Sequence, residues 1–162
     1  MCFSLSDLKD FFTILGVIGS LILLIGAFVQ YYKAEKQKRA EHFFKLRDKY
    51  NTDPAFIKIR EIIDIDSPDA KVIRSREIGN DEKRKFLGFY EEIAIMVKSG
   101  LIKKELAFYM FGYYAVRCNK MDVFTSYINE DKEYWAVFSD FAAKMKNYDD
   151  NINQFDYDKV II

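Results

Sequence analysis

The chain has 162 residues, 25 basic and 25 acidic side chains, one histidine, two cysteines and 17% aromatic residues. A formal charge of zero excludes a general nucleic-acid binder, which needs a basic surface. Once a membrane segment is set aside, this length leaves room for one compact domain and no second one.

The charge-free stretch FFTILGVIGSLILLIGAFV, Phe11 to Val29, continues through Gln30, Tyr31 and Tyr32 before Lys33 ends it. Its roughly 20 residues, at 1.5 Å each, match a hydrocarbon core about 30 Å thick. The preceding MCFSLSDLKD lacks the basic start of a signal peptide, and no small-residue cleavage site follows the run. The stretch reads as one transmembrane helix over 11–32, preceded by a short extracytoplasmic N-terminus, 1–10.

Lys33, Lys36, Lys38 and Arg39 follow the span against Glu35 alone, whereas Asp7 and Asp10 outnumber Lys9 before it. The positive-inside rule therefore predicts N-terminus out and body in the cytoplasm. At 100° per residue, Gly16, Gly19, Ser20, Gly26 and Ala27 fall within about 120° of one another. Small residues on one face let membrane helices approach closely, so this face predicts a homo-oligomer, with a tetramer as one option. Cys2 and Cys118 fall on opposite sides of the membrane in this reading, and no disulfide joins them.

The helix is predicted to continue through a basic juxtamembrane segment, 33–50, where Phe43, Phe44 and Leu46 begin an apolar stripe. Asp53-Pro54 is an N-cap followed by proline at the first helical position. Phe56, Ile59, Ile62 and Ile63 then recur at helical spacing. Ser67 caps a further turn, predicted to bury Val72 and Ile73, and 74–81 reads as loop. Asp81 to Ser99 is the strongest soluble helix: Phe86, Tyr90, Ile93 and Val97 share a face, Asn80 caps the start, and Gly100 ends it.

Leu106 to Val116 holds eleven residues without a charge. Leu106, Tyr109 and Tyr113 occupy one side of a helical wheel, with Phe108, Phe111 and Ala115 opposite. A helix apolar all round must be buried all round, which predicts that Phe108 and Phe111 join the oligomer interface. Asp122 to Ile128 forms a brief helix, and Glu130 to Tyr148 a longer one with Trp135, Phe138, Phe141, Ala142 and Met145 inward. The domain thus spans 51–148, and an acidic tail, 149–162, either stays open or docks its last residues. The fold class is all-α: one N-terminal transmembrane helix continuing into a compact cytosolic helical domain.

No catalytic constellation emerges. His42 stands alone, the glycines form no phosphate loop, and Glu91, Glu92 and Glu105 read as solvated acids ahead of metal ligands. No enzyme, metal or cofactor is expected. Bases next to aromatics suggest a ligand site instead, since cations suit phosphates and rings suit bases. The candidates are Arg74, Arg76, Lys83, Arg84, Tyr114, Arg117, Asn119 and Lys120.

The segments AEKQKRAEHFFKLRDKYNTDPAF (Ala34 to Phe56), FYEEIAIMVKSGLI (Phe89 to Ile102) and FGYYAVR (Phe111 to Arg117) resemble a family of small bacterial membrane proteins with one span, a basic helix and a compact helical domain. The resemblance covers most of the chain and implies the inner, cytoplasmic membrane. The architecture is also similar to ancillary membrane effectors of type III CRISPR defence, which bind a cyclic oligoadenylate and perturb the membrane. That likeness implies an oligomeric antiviral effector that senses a cyclic oligonucleotide. A membrane-tethered adaptor, holding a protein partner through Leu106–Val116 or the acidic tail, is the alternative.

Overall fold

A computed structural model describes residues 5–160, with side chains from Thr13 onward. Cys2 and the final Ile161 and Ile162 lie outside the described residues. Every regular element among the described residues is helical, as the sequence pattern predicts. The chain divides into two units, residues 1–41 and 42–162.

The first unit is the start of α1 (Leu5–Thr52). Its apolar side chains are bare: Leu23 is 76% exposed and Phe28 71%. Water tolerates no continuous apolar cylinder of that kind, whereas hydrocarbon does, and the helix satisfies all its own backbone polar groups. This is one helix long and apolar enough to cross a membrane, near the N-terminus.

The second unit begins in the last turns of α1. There Phe43 and Leu46 of the expected stripe are buried, Tyr50 joins them at i+7, and Phe44 is exposed. Asp53 accepts a hydrogen bond from Ala55 N–H at 3.0 Å and caps α2 (Pro54–Ile63). Ser67 caps α3 (Pro68–Ser75). Val72 and Ile73, expected inside, are 50% and 63% exposed. A two-turn helix buries only one narrow face, and here that face carries Ser75, followed by Ile78.

The central element is α4 (Asn80–Lys98). Its N-cap is Gly79, not Asn80: the Glu82 carboxylate reaches back to accept Gly79 N–H at 2.8 Å. The C-terminus closes as the sequence predicts, with Gly100 at φ 71°. Leu101 N–H meets Met96 O at 2.9 Å and Gly100 N–H meets Val97 O at 3.1 Å, the paired bonds of a Schellman motif.

A helix over 104–118 comes next, in three parts: α5 (Lys104–Ala107), a π-helical turn (Phe108–Gly112) and α6 (Tyr113–Cys118). The wider turn inserts one residue and rotates the residues beyond it by about 100° relative to a regular wheel. Leu106 is consequently buried, while Tyr109 and Tyr113, expected on the same face, are 60% and 45% exposed. The segment is not buried all round. Gly112 makes the π turn possible, because a Cβ there would lie 2.6 Å from Phe108 Cδ2.

After α7 (Asp122–Glu130), Tyr134 N–H bonds the Asp131 carboxylate at 3.4 Å, and α8 (Ala136–Asp150) starts six residues later than the apolar pattern implied. Trp135, Phe138, Phe141, Ala142 and Met145 are all buried, as expected. The tail docks through Phe155, whose ring lies 5.0 Å from that of Phe108, and through Val160, which packs on the core.

The core is aromatic. Phe56, Phe86, Phe89, Tyr90, Phe111, Phe124 and Phe138 are fully buried, each contributing roughly 1.5–3 kcal/mol through apolar burial. Edge-to-face contacts run through it, for example Phe56–Phe86 at 5.4 Å and Phe86–Tyr90 at 5.1 Å. Its buried hydroxyls pair with one another, Tyr50 with Tyr90 at 3.3 Å. Burial raises the pKa of both phenols and of the Cys118 thiol, which is a core residue.

Candidate functional site

The most organised polar surface lies where α6 crosses α2. The Arg60 guanidinium sits 4.6 Å from the ring centroid of Tyr50 and 5.8 Å from that of Tyr114. Tyr114 donates its hydroxyl to Asp64 at 2.6 Å and stands edge-on to Tyr113, with centroids 4.8 Å apart. Arg117 closes the row, its guanidinium 3.4 Å from the Tyr113 ring centroid. Burial first, and the bond to Asp64 second, push the Tyr114 phenol up to about 12. It is therefore a permanent donor at neutral pH.

The local sequence explains the row. Arg60 and Asp64 occupy successive turns of the same side of α2, at i and i+4, and the π turn swings Tyr113 outward so that Arg117, four residues on, lies over it. Neither guanidinium has a carboxylate within ion-pair distance among the described residues. Each keeps N–H donors available, Arg60 using its Nε for a long 3.4 Å bond to Phe56 O.

The eight predicted ligand residues do not converge. Tyr114 and Arg117 belong to the row just described. Arg76, Lys83 and Arg84 instead face α7. Lys83 Nζ lies 5.5 Å from the Tyr127 ring and donates to Asn80 Oδ1 at 3.2 Å. Arg84 lines the same hollow as Tyr127, whose proximity raises its already high pKa. Two open hollows flank Tyr127, of about 510 and 430 Å³. Their cations are matched by Asp122, Glu130 and Asp131, so the field there is close to neutral and does not favour a polyanion.

Arg74 is taken by Glu77 at 3.2 Å. Asn119 and Lys120 form the α6–α7 turn: Asn119 O accepts Thr125 Oγ1 at 3.2 Å, and Lys120 N–H bonds Arg117 O at 3.1 Å. Sequence reasoning missed Arg60 and Asp64. Neither residue carries a sequence signal of its own: Arg60 joins the row through the Tyr50 and Tyr114 rings, and Asp64 through the Tyr114 hydroxyl, fifty residues away.

Of the predicted interface residues, Phe108 and Phe111 are buried inside the core of their own chain. Phe108 stacks on Tyr148 at 5.2 Å and Phe111 meets Tyr50 edge-on at 5.2 Å. The π turn and the docked tail cover what the pattern offered to a second subunit. Gly16, Gly19 and Gly26 are different, since a Cβ at any of them would meet nothing within 4 Å. Ser20, between them, spends its hydroxyl on Gly16 O at 2.8 Å.

Among the described residues no group of three or more His, Cys, Asp or Glu side chains is arranged to hold a metal. Fold and surface together define an all-helical domain carried on one long apolar helix, with a tyrosine–guanidinium row as its most organised feature. The chain belongs to the family described as Domain of unknown function (DUF4760), whose pattern it matches over residues 14–155, from within the apolar helix to the docked tail. None of the curated proteins and none of the solved structures matches it.

Proposed function

We propose that this chain is a single-pass protein of a bacterial cytoplasmic membrane whose helical domain receives an anionic aromatic ligand of the nucleotide class and catalyses no reaction on it. The N-terminus lies outside and the domain in the cytoplasm, a reading supported by the four bases that follow the span against one acid. One observation carries the ligand reading. Arg60 and Arg117 are held on tyrosine faces with no carboxylate partner among the described residues. A guanidinium stacked on a ring is preorganised, yet its in-plane N–H donors stay free to grip a phosphate. The exposed ring of Tyr113 and the Tyr114–Asp64 pair give an aromatic base an edge and an acceptor nearby.

Self-association through Gly16, Gly19, Ser20, Gly26 and Ala27 belongs to the same proposal, supported by the open space at each glycine. The adaptor reading has less behind it, because Phe108, Phe111 and Phe155 are spent within the subunit. The architectural likeness to type III CRISPR effectors makes cyclic oligoadenylates the first ligands to try. Full-length protein in detergent should gain thermal stability with a mononucleotide or a cyclic oligoadenylate, and Arg117→Ala and Arg60→Ala should each abolish the gain. Absence of a shift with all of them, or a shift that survives both substitutions, refutes the proposal.

A further inference from the structure

We infer that the valley between α4 and α8 binds a long-chain acyl anion, a fatty-acid carboxylate lying along the valley with its head at the α5 end. The two helices run in the same direction. Tyr90 of α4 meets Phe138 and Phe141, and Glu105, just beyond α4, accepts the hydroxyl of Tyr148 near the end of α8. The valley above this contact is an open groove of about 860 Å³, within the range of about 300–1,000 Å³ that small-molecule sites occupy. Its floor is the buried Ala94, Phe141 and Met145, and its walls include Val97 and the half-exposed Val137.

The charges in this valley are sorted by position. Lys98 stands in the last turn of α4, Lys104 opens α5, and Lys144 lies in the second half of α8, so all three lysines belong to the α5 half of the lining. Asp140 neutralises Lys144 at 2.7 Å. Lys98 has no ion pair among the described residues, and Lys104 reaches only its neighbour Glu105 at 4.0 Å. At the opposite end the lining is Ala136 and Val137. An apolar trough with one unpaired ammonium, that of Lys98, at one end complements a molecule with an apolar body and one anionic head.

Length agrees with that class. The lining runs from Ala136 to Tyr148 on α8, about 18 Å at 1.5 Å per residue. An extended hydrocarbon chain advances about 1.25 Å per methylene, from a 1.52 Å bond at a near-tetrahedral angle. Roughly fourteen carbons then fill the trough, so a C16 or C18 chain lies along its whole length with its last few carbons beyond the Ala136 end. A partner helix seated there would need its carboxylates confined to one end, a polarity that an acyl carboxylate has by construction.

This site shares no residue with the Arg60–Arg117 row, so either stands if the other fails. Full-length protein in nanodiscs of zwitterionic lipid would be titrated with a fluorescent C18 carboxylate, against empty nanodiscs, and the probe displaced by palmitate or by the corresponding alcohol. Saturable binding of one probe per chain is expected. The double variant Lys98→Glu/Lys104→Glu should weaken palmitate at least about tenfold, the scale of one charge-assisted contact, and leave the alcohol unchanged. Val137→Glu, which puts a carboxylate in the apolar half at a half-exposed position, should weaken both. Binding no greater than to empty nanodiscs, equal affinity for palmitate and alcohol, or indifference to the lysine reversal overturns the inference. So does capture of an amphipathic peptide in place of palmitate.

Discussion

Replacing Gly112 by alanine tests whether the π turn is a built feature. A Cβ at that position would come within 2.6 Å of Phe108 Cδ2 and 3.2 Å of Cε2. Phe108 cannot simply retreat, since its ring stacks on Tyr148 at 5.2 Å and lies 5.0 Å from Phe155. Overpacking of this kind costs about 1–3 kcal/mol, against a gain of up to about 1 kcal/mol from replacing glycine in a helix. A net loss of about 1–2 kcal/mol results. Gly88 is the control, because it sits inside α4 and an added Cβ meets nothing within 4 Å. There the propensity term acts alone, and Gly88→Ala should stabilise by about 0.5–1 kcal/mol. For a chain of this size about 1 kcal/mol moves the midpoint by roughly 2–4 °C, so the two variants should shift in opposite directions. The assay is thermal unfolding of full-length protein in detergent, followed by near-ultraviolet circular dichroism. Shifts of the same sign would refute the claim that Gly112 holds the turn by its missing side chain.

Two further outcomes concern pH. Both Glu82 oxygens accept from the Lys58 ammonium at 2.9 Å, and this bond, ahead of the opposing effect of burial and helped by Gly79 N–H, holds the carboxyl below its ordinary value of 4.5. Its stabilising effect is present above pH 4.5 and is lost as pH falls through the lower folded value. Glu82→Gln should therefore cost about 1 kcal/mol near neutrality and flatten the acid limb of a stability–pH profile. An unchanged limb would count against the assignment. Tyr114 is raised to about 12 against an ordinary 10.0, so its contribution is complete below pH 10 and disappears as pH climbs towards 12. In an ultraviolet titration of the folded protein, Tyr114→Phe should delete a late-ionising phenol. Loss of an early one instead would show that the bond to Asp64 does not form in solution.

Much of the fold is legible in the order of residues because it depends on local chemistry. The apolar run of α1, the Asp53-Pro54 start of α2, the Ser67 cap, the Gly100 stop and the inward faces of α2, α4 and α8 all arise from periodicity and from backbone groups within a few residues. Asn80 failed as a cap for a reason still within reach, since Glu82 three residues after Gly79 is itself half of a capping box. Val72 and Ile73 failed because a short helix exposes most of its circumference whatever its composition.

The candidate site was legible only in pieces. Tyr114 and Arg117 could be picked out as base beside aromatic, whereas Arg60 and Asp64 could not, for their significance depends on a contact across fifty residues. The separation of Arg74, Arg76, Lys83 and Arg84 from that row is likewise invisible in a linear list, because Arg76, Lys83 and Arg84 face α7 while Arg74 pairs with Glu77. The sequence by itself determined the apolar helix, the all-helical class and the aromatic supply of the core, through length, hydropathy and period. Only the tertiary structure decided how Leu106–Val116 is used. One inserted residue at the π turn, permitted by Gly112 and held by Tyr148 and the docked Phe155, turned an apparently all-apolar helix into a buried face and an exposed row of tyrosines. That outcome rests on side chains more than thirty positions away, and no local period encodes it.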